Sequence, residues 1–194
     1  MRFDIIYIDP PWDYRVWSKK TGSGRCAIKY YPTMNINDIY SVSLGDIASK
    51  NCCLFLWATF PQLPEALQCI KRWGFTYKTD AFVWIKINKD GSPFMGLGYW
   101  TRKNVEVCYL ATKGNPKRVN KGIPEVIISP RLRHSAKPPE VRDRIVSLMG
   151  DLPRIELFAR ETCPGWISIG NEITGNDIRV DLENLIYNNG KGTL

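Results

Sequence analysis

Three short stretches of the chain carry residue types that could do chemistry. The first is Asp9-Pro10-Pro11-Trp12, where the apolar run from Phe3 to Ile8 ends in an acid, two prolines and an indole. Neither proline has an N–H to give a sheet ladder and each fixes its own φ, so a strand must stop there. What it leaves at its carboxyl end is an acid, a rigid carbonyl and a large aromatic, in a geometry the prolines set beforehand. The second stretch is Glu156-Leu157-Phe158-Ala159-Arg160, and the third is Asn171-Glu172. Each lies within or just after a strand-like run. Ligands of open α/β sheets bind outside the carboxyl ends of the strands, and an acid beyond a nucleotide-binding turn is placed to accept hydrogen bonds from ribose hydroxyls. Other nucleotide and hydrolase signatures are missing. The chain has no G-x-G-x-x-G, no G-x-x-x-x-G-K-[ST] and no G-x-S-x-G, which disfavours dinucleotide oxidoreductases, P-loop NTPases and serine hydrolases. Gly22-Ser23-Gly24 reads as a loop tip.

The elements that must position these residues alternate along the chain. Strand-like runs span Phe3–Ile8, Cys52–Ala58, Ala81–Ile87, Val105–Ala111, Glu125–Ile128, Arg154–Phe158 and Trp166–Ile169. Helical patterns fall at Pro61–Trp73, Pro138–Met149 and Asp177–Tyr187, with glycines after the first two and Asn176 as the expected N-cap of the third. Continuous apolar strands alternating with amphipathic helices imply a mostly parallel sheet covered on both faces, and the close spacing of the middle strands implies an antiparallel part. One domain over residues 1–187 is expected, followed by a flexible tail, 188–194.

Composition, at 44% hydrophobic and 24% charged, is that of an ordinary globular protein. The amino-terminal apolar run is too short for a signal peptide or membrane span, so a soluble cytoplasmic protein with no membrane partner is expected. Six cysteines, at 26, 52, 53, 69, 108 and 163, include no C-x-x-C pair, and His134 is the sole histidine. No metal is expected. Cys52, Cys53 and Cys108 read as small core hydrophobes in a reducing compartment, and His134 as a surface residue. The net charge of +8 is concentrated: residues 13–31 and 113–137 together net +10, so the rest nets −2. Two basic segments, one directly after the Asp-Pro-Pro-Trp turn, favour a polyanion partner. Lys137 precedes a helical pattern opening Pro138-Pro139-Glu140, the wrong end of a helix dipole for a cation unless a ligand carboxylate or phosphate sits there.

Taken together the blocks resemble a known family. Asp9-Pro10-Pro11-Trp12 is followed in order by Tyr31-Pro32-Thr33-Met34, Leu54-Phe55-Leu56-Trp57, Trp84-Ile85-Lys86, Lys113-Gly114-Asn115-Pro116, Ser135-Ala136-Lys137-Pro138, Ile155 to Arg160 and Gly165 to Glu172. This series is similar to the MT-A type adenine-N6 methyltransferases, the bacterial and phage relatives of the eukaryotic messenger-RNA adenosine methyltransferase catalytic subunit. The resemblance implies a Rossmann-like S-adenosylmethionine-dependent methyltransferase fold in a permuted order, with the catalytic strand before the cofactor strand. It assigns Asp9, Pro10, Pro11 and Trp12 to catalysis, and Lys137, Glu156, Leu157, Phe158, Arg160, Asn171 and Glu172 to the cofactor. Tyr31 and Trp84 become walls of the base pocket, with Lys117, Arg118 and Lys121 as contacts to nucleic acid. After Arg160 the chain reads Glu161-Thr162-Cys163, where the eukaryotic subunit has a histidine and an asparagine.

The implied reaction gives the opening stretch a purpose. The exocyclic amine of adenine is a poor nucleophile, because its lone pair is delocalised into the ring. If Asp9 accepts one amino hydrogen and the Pro10 carbonyl the other, the nitrogen becomes more tetrahedral and its lone pair can point at a sulfonium methyl group. Trp12 would offer a stacking face to the extracted base. The expected substrate is DNA rather than RNA, with a homodimer left open. A catalytically silent partner subunit of the same family is the competing reading, and the intact Asp9 and Asn171-Glu172 argue against it.

Overall fold

In the computed structural model, residues 1–13, 33–98, 100–131 and 136–190 are described. Tyr31, His134, Cys26, Arg133, the Gly22-Ser23-Gly24 tip and the five cations between residues 13 and 31 lie outside them.

Among the described residues seven strands form one sheet: β1 (Phe3–Ile8), β2 (Ala48–Ala58), β3 (Thr76–Ile87), β4 (Val105–Lys113), β5 (Val126–Pro130), β6 (Arg154–Leu157) and β7 (Ile167–Ile169). Their order is β5-β3-β4-β2-β1-β6-β7. All run parallel except β4, which is antiparallel to both β2 and β3. The helices are α1 (Ile36–Tyr40), α2 (Leu44–Ile47), α3 (Leu63–Arg72), α4 (Glu140–Met149), α5 (Asn171–Thr174) and α6 (Ile178–Gly190), with a 3-10 turn over Phe60–Gln62 before α3. No helix among the described residues is long and apolar enough to cross a membrane.

The first strand lies inside the sheet, between β2 and β6, because it can be buried on both faces. Ile6 and Ile8 pack into one core with Ile39, Leu44, Ile70 and Leu182, contributed by α1, α2, α3 and α6. Ile5 and Tyr7 pack on the other face with Val141, Ile145 and Met149 of α4. Alternate side chains of a strand point to opposite faces, so a continuous apolar run is what a doubly covered strand requires. Cys52, Cys53 and Cys108 are buried free thiols, as their setting in the sequence implies.

Register gives the sheet two functionally distinct edges. Ile8 pairs with Leu56 and Ala58 with Val107, so the end of β1, the end of β2 and the start of β4 share the upper edge. Phe3 pairs with Ala48 and Cys52 with Lys113, so the end of β4 lies at the lower edge. The upper edge therefore holds Asp9, both ends of the connection between β3 and β4, and Arg131, which follows β5.

Each expected strand is present: β1 matches at both ends, and the others are shifted by at most five residues at an end. The final helix is capped by Asp177 rather than Asn176: Asp177 Oδ1 accepts from the Arg179 N–H at 2.9 Å, while Asn176 turns its side-chain amide to Asp181 Oδ1 at 3.0 Å. That helix runs to Gly190, past the expected start of the tail.

Candidate active site

The turn after β1 is held by its own backbone and by two indoles. The Trp12 N–H donates to the Pro10 carbonyl at 2.8 Å, a three-residue closure, and the Met34 N–H to the Pro11 carbonyl at 3.0 Å. The Pro10 carbonyl keeps its second lone pair. Trp12 is not the open stacking face its sequence position implies. It is 3% exposed, and its indole N–H donates to the Trp57 carbonyl at 3.0 Å. Trp57 in turn donates its indole N–H to the Tyr7 hydroxyl at 2.7 Å. Burial of the indole, with its one donor satisfied, makes Trp12 an anchor of the turn.

Asp9 is fixed by a chain of alternating charges. Its Oδ2 accepts from Lys137 Nζ at 2.5 Å, the same ammonium lies 3.3 Å from Glu106 Oε2, and the other oxygen of Glu106 pairs with Lys86. Lys137 and Glu106 side chains are only 10% and 16% exposed. The cation at the start of α4 therefore meets two carboxylates supplied by the protein itself, which resolves the unfavourable dipole position without a ligand. Burial acts to raise the Glu106 carboxyl, but Lys137 and Lys86 outweigh it and hold the group below its ordinary value. For Asp9 the balance is reversed: burial lifts the carboxyl above its ordinary value and Glu106 adds to this, against the pull of Lys137.

Beside Asp9 lies a pocket of about 300 Å³, at the small end of the roughly 300–1,000 Å³ usual for ligand sites. Asp9, Pro10 and Pro11 form one wall; Phe158 and Arg160 form a second; Asn171, Glu172 and residues 175–178 close it. Three carboxylates line it and each has its own cation: Asp9 is paired with Lys137, Glu172 with Arg160, and Asp177 with Arg179 at 2.9 Å, so the lining is polar and nearly neutral, with acceptors for hydroxyl groups. Arg160 Nε lies 3.2 Å from Glu172 Oε1 and ties two of the walls together. Phe158 takes a left-handed backbone with φ of 57°, at a cost of about 1–2 kcal/mol for a non-glycine residue, where β6 gives way to the pocket. Gly170 is required by close approach: a Cβ there would stand 2.7 Å from the Ala159 carbonyl oxygen.

Residues 3–172 match the MT-A70 family. The chain belongs to that family. Its enzymes transfer a methyl group from S-adenosylmethionine to the N6 of adenine in DNA or RNA, and this chain is an enzyme of that class. Among curated relatives, the type II methyltransferase M.MunI of Mycoplasma sp is 31% identical over 204 residues, which is 97% of this chain and 85% of the relative. The N(6)-adenosine-methyltransferase catalytic subunit METTL3 of Homo sapiens is 27% identical over 179 residues, and the MT-A70-like protein of Drosophila melanogaster is 28% identical over the same length. Those two are matched by 90% of this chain, which spans only 29% and 27% of their own lengths.

The MT-A70 blocks do not all converge on the pocket. Asp9, Pro10, Pro11, Phe158, Arg160, Asn171 and Glu172 do, and Lys137 reaches it through Asp9. Leu157 is fully buried in the core opposite Ile8 and presents no side chain to a cofactor. Glu156 is 8% exposed and chelated by Arg142, with Nε to Oε2 at 2.7 Å and Nη2 to Oε1 at 3.0 Å, so its carboxylate is already satisfied. Trp84 is 2% exposed and donates to the Ser129 carbonyl at 3.3 Å, which makes it a core residue rather than a base-pocket wall. Lys117, Arg118 and Lys121 are on the wrong side of the sheet. They follow the end of β4 at the lower edge, and the Val119 N–H is pinned to the Leu148 carbonyl, at the far end of α4, at 2.8 Å. Lys86 and Glu106 are the members of the site that sequence reading passed over; their signal was a lone charge inside each of two apolar runs, of opposite sign.

Proposed function

We propose that the chain methylates the N6 amine of adenine in DNA, with Asp9 as the residue that receives the amine. The observation that carries this is the position of Asp9: one oxygen is held by Lys137, and the side chain also walls the acid-lined pocket that Asn171 and Glu172 close. In this reading the pocket holds S-adenosylmethionine, which supplies an electrophilic methyl group on a sulfonium. Asn171 and Glu172 hold its ribose hydroxyls.

Asp9 Oδ1 accepts one amino hydrogen and the free lone pair of the Pro10 carbonyl accepts the other. Both acceptors are in place before the base enters, since the Trp12–Pro10 closure fixes the carbonyl and Lys137 fixes the carboxylate. The hydrogen bonds pull the amine toward a tetrahedral shape with its lone pair directed into the pocket. Its proton becomes acidic as the new N–C bond forms, and Asp9 is the group placed to take it.

DNA is favoured over RNA because the type II methyltransferase M.MunI is 31% identical over 97% of this chain, against 28% and 27% over 90% of it for the N6-adenosine enzymes. A cytoplasmic enzyme of a bacterium or of a phage-infected cell fits this reading. Incubation with labelled S-adenosylmethionine and matched single- and double-stranded DNA and RNA, followed by nucleoside identification, tests it. Label in N6-methyldeoxyadenosine is expected. Label in N6-methyladenosine alone overturns the choice of polymer, and label in neither overturns the substrate class.

A further inference from the structure

The connection between β3 and β4, residues 88–104, leaves the same upper edge as Asp9 and is built rather than slack. The Lys86 N–H donates to the Asn104 carbonyl at 2.8 Å, the Phe94 N–H to the Lys86 carbonyl at 3.1 Å and the Gly96 N–H to the Lys103 carbonyl at 2.8 Å. Its end turns so tightly that a Cβ on Gly98 would lie 1.8 Å from the Thr101 carbonyl oxygen. Arg131 stacks over the Phe94 ring, 3.7 Å from its centroid, and joins the excursion to the segment that leads on to Lys137.

What this excursion presents is unusual. Trp100 is 92% exposed, Met95 73% and Leu97 57%. An apolar tip alone would suit many partners, but this one is interleaved with the exposed cations Lys89, Arg102 and Lys103. Its single acid, Asp90, is engaged by the Ser92 hydroxyl at 2.6 Å. With Asp90 set against Lys89, Arg102 and Lys103 the excursion nets +2, and planar aromatic surface beside that positive excess complements stacked bases on a phosphate backbone. We infer that residues 88–104 form a nucleic-acid contact in which Trp100 stacks on a nucleotide flanking the target adenine while Arg102 and Lys103 meet the neighbouring phosphates. The assignment rests on the nucleic-acid reading of Asp9, because it places the polymer across the same edge.

The test measures binding of a fluorescein-labelled, mixed-sequence single-stranded DNA to the full chain and to Trp100→Ala, Trp100→Phe and the double variant Arg102→Gln/Lys103→Gln. Calorimetric titration with S-adenosylhomocysteine and sedimentation run alongside. Trp100→Ala is expected to weaken DNA binding roughly 5- to 150-fold, with Trp100→Phe retaining most of it. The double variant should reduce the slope of log affinity against log salt by about 1.4, or roughly 0.7 per phosphate contact on a single strand. Cofactor-product affinity and sedimentation should not change. Wild-type DNA binding in Trp100→Ala overturns the inference while leaving the methyltransferase reading intact. Conversion of a dimer to a monomer by the same variant overturns it in favour of a second copy of the chain at this surface. Failure of the unaltered protein to bind any DNA or RNA, with S-adenosylhomocysteine still bound, overturns the nucleic-acid reading and this inference with it.

Discussion

The two edges of the sheet both carry positive charge, and they use it in opposite ways. At the upper edge Lys86 and Lys137 are drawn inward and alternate with Glu106 and Asp9, so four charges are packed with no net excess. At the lower edge Lys117, Arg118 and Lys121 stand exposed on a loop. A charge can be taken out of water only when it is paired and hydrogen-bonded, whereas an exposed one costs little and adds little to stability. Positive charge counted along the sequence therefore says less about function than which edge it is folded onto.

The sharpest way to break the comparison is to remove the acid at the end of the buried chain. Asp9→Asn should lower methyl transfer by roughly 10²- to 10⁴-fold while S-adenosylhomocysteine affinity, measured by calorimetry, stays within a few-fold. The same variant should melt no lower than the parent at neutral pH. A carboxyl raised above its unfolded value favours the fold when protonated, and that contribution is lost as pH rises through the folded value; the amide mimics the protonated form.

Next in size is a buried pair with no chemistry assigned to it. Arg142→Ala strands the Glu156 carboxylate, and thermal denaturation should show a loss of about 3–5 kcal/mol, roughly 6–20 °C in Tm. In the pocket itself, Asn171→Ala or Glu172→Ala should weaken S-adenosylhomocysteine binding by about 1–3 kcal/mol in the same calorimetric assay, since a hydroxyl is left without its acceptor.

The charge chain is sharpened by pH. Asp9 must be ionised to accept the amine, so the acid limb of the rate profile should lie above the ordinary carboxylate range. Lys137→Met removes the cation that favours ionised Asp9 and should move the limb further up. Glu106→Gln removes a like charge and should move it down. The smallest effect is expected at the lower edge: Lys117→Gln, Arg118→Gln and Lys121→Gln together should leave the turnover rate, and the salt dependence of DNA binding, close to those of the parent.

Much of this was legible in the sequence, and the failures have physical causes. Long apolar strands and the helices α3, α4 and α6 announce themselves through periodicity, but α1, α2 and α5 are four or five residues long and too short to show one. Asp9, Arg160, Asn171 and Glu172 line one pocket because each follows a strand, and strand ends gather at one edge. Lys117 was misplaced because proximity in sequence hid a reversal: β4 alone runs antiparallel, and it carries the chain to the lower edge before β5 brings it back. Trp12 and Trp84 were misread because an indole shows in sequence as a possible platform, and only packing reveals that its N–H is already bonded inward. Lys86 and Glu106 meet diagonally across a strand pair whose register the sequence does not state.

The salt bridge between Asp9 and Lys137 also has a consequence in time. During synthesis β1 emerges first, yet the ammonium that steadies Asp9 follows 128 residues later and the pocket is closed by residues 171–178 later still. A growing chain thus carries Asp9 long before it carries the cation that holds it or the far walls of the pocket beside it. The site assembles only when the sheet has closed around β1, so its parts meet last although one of them is made early.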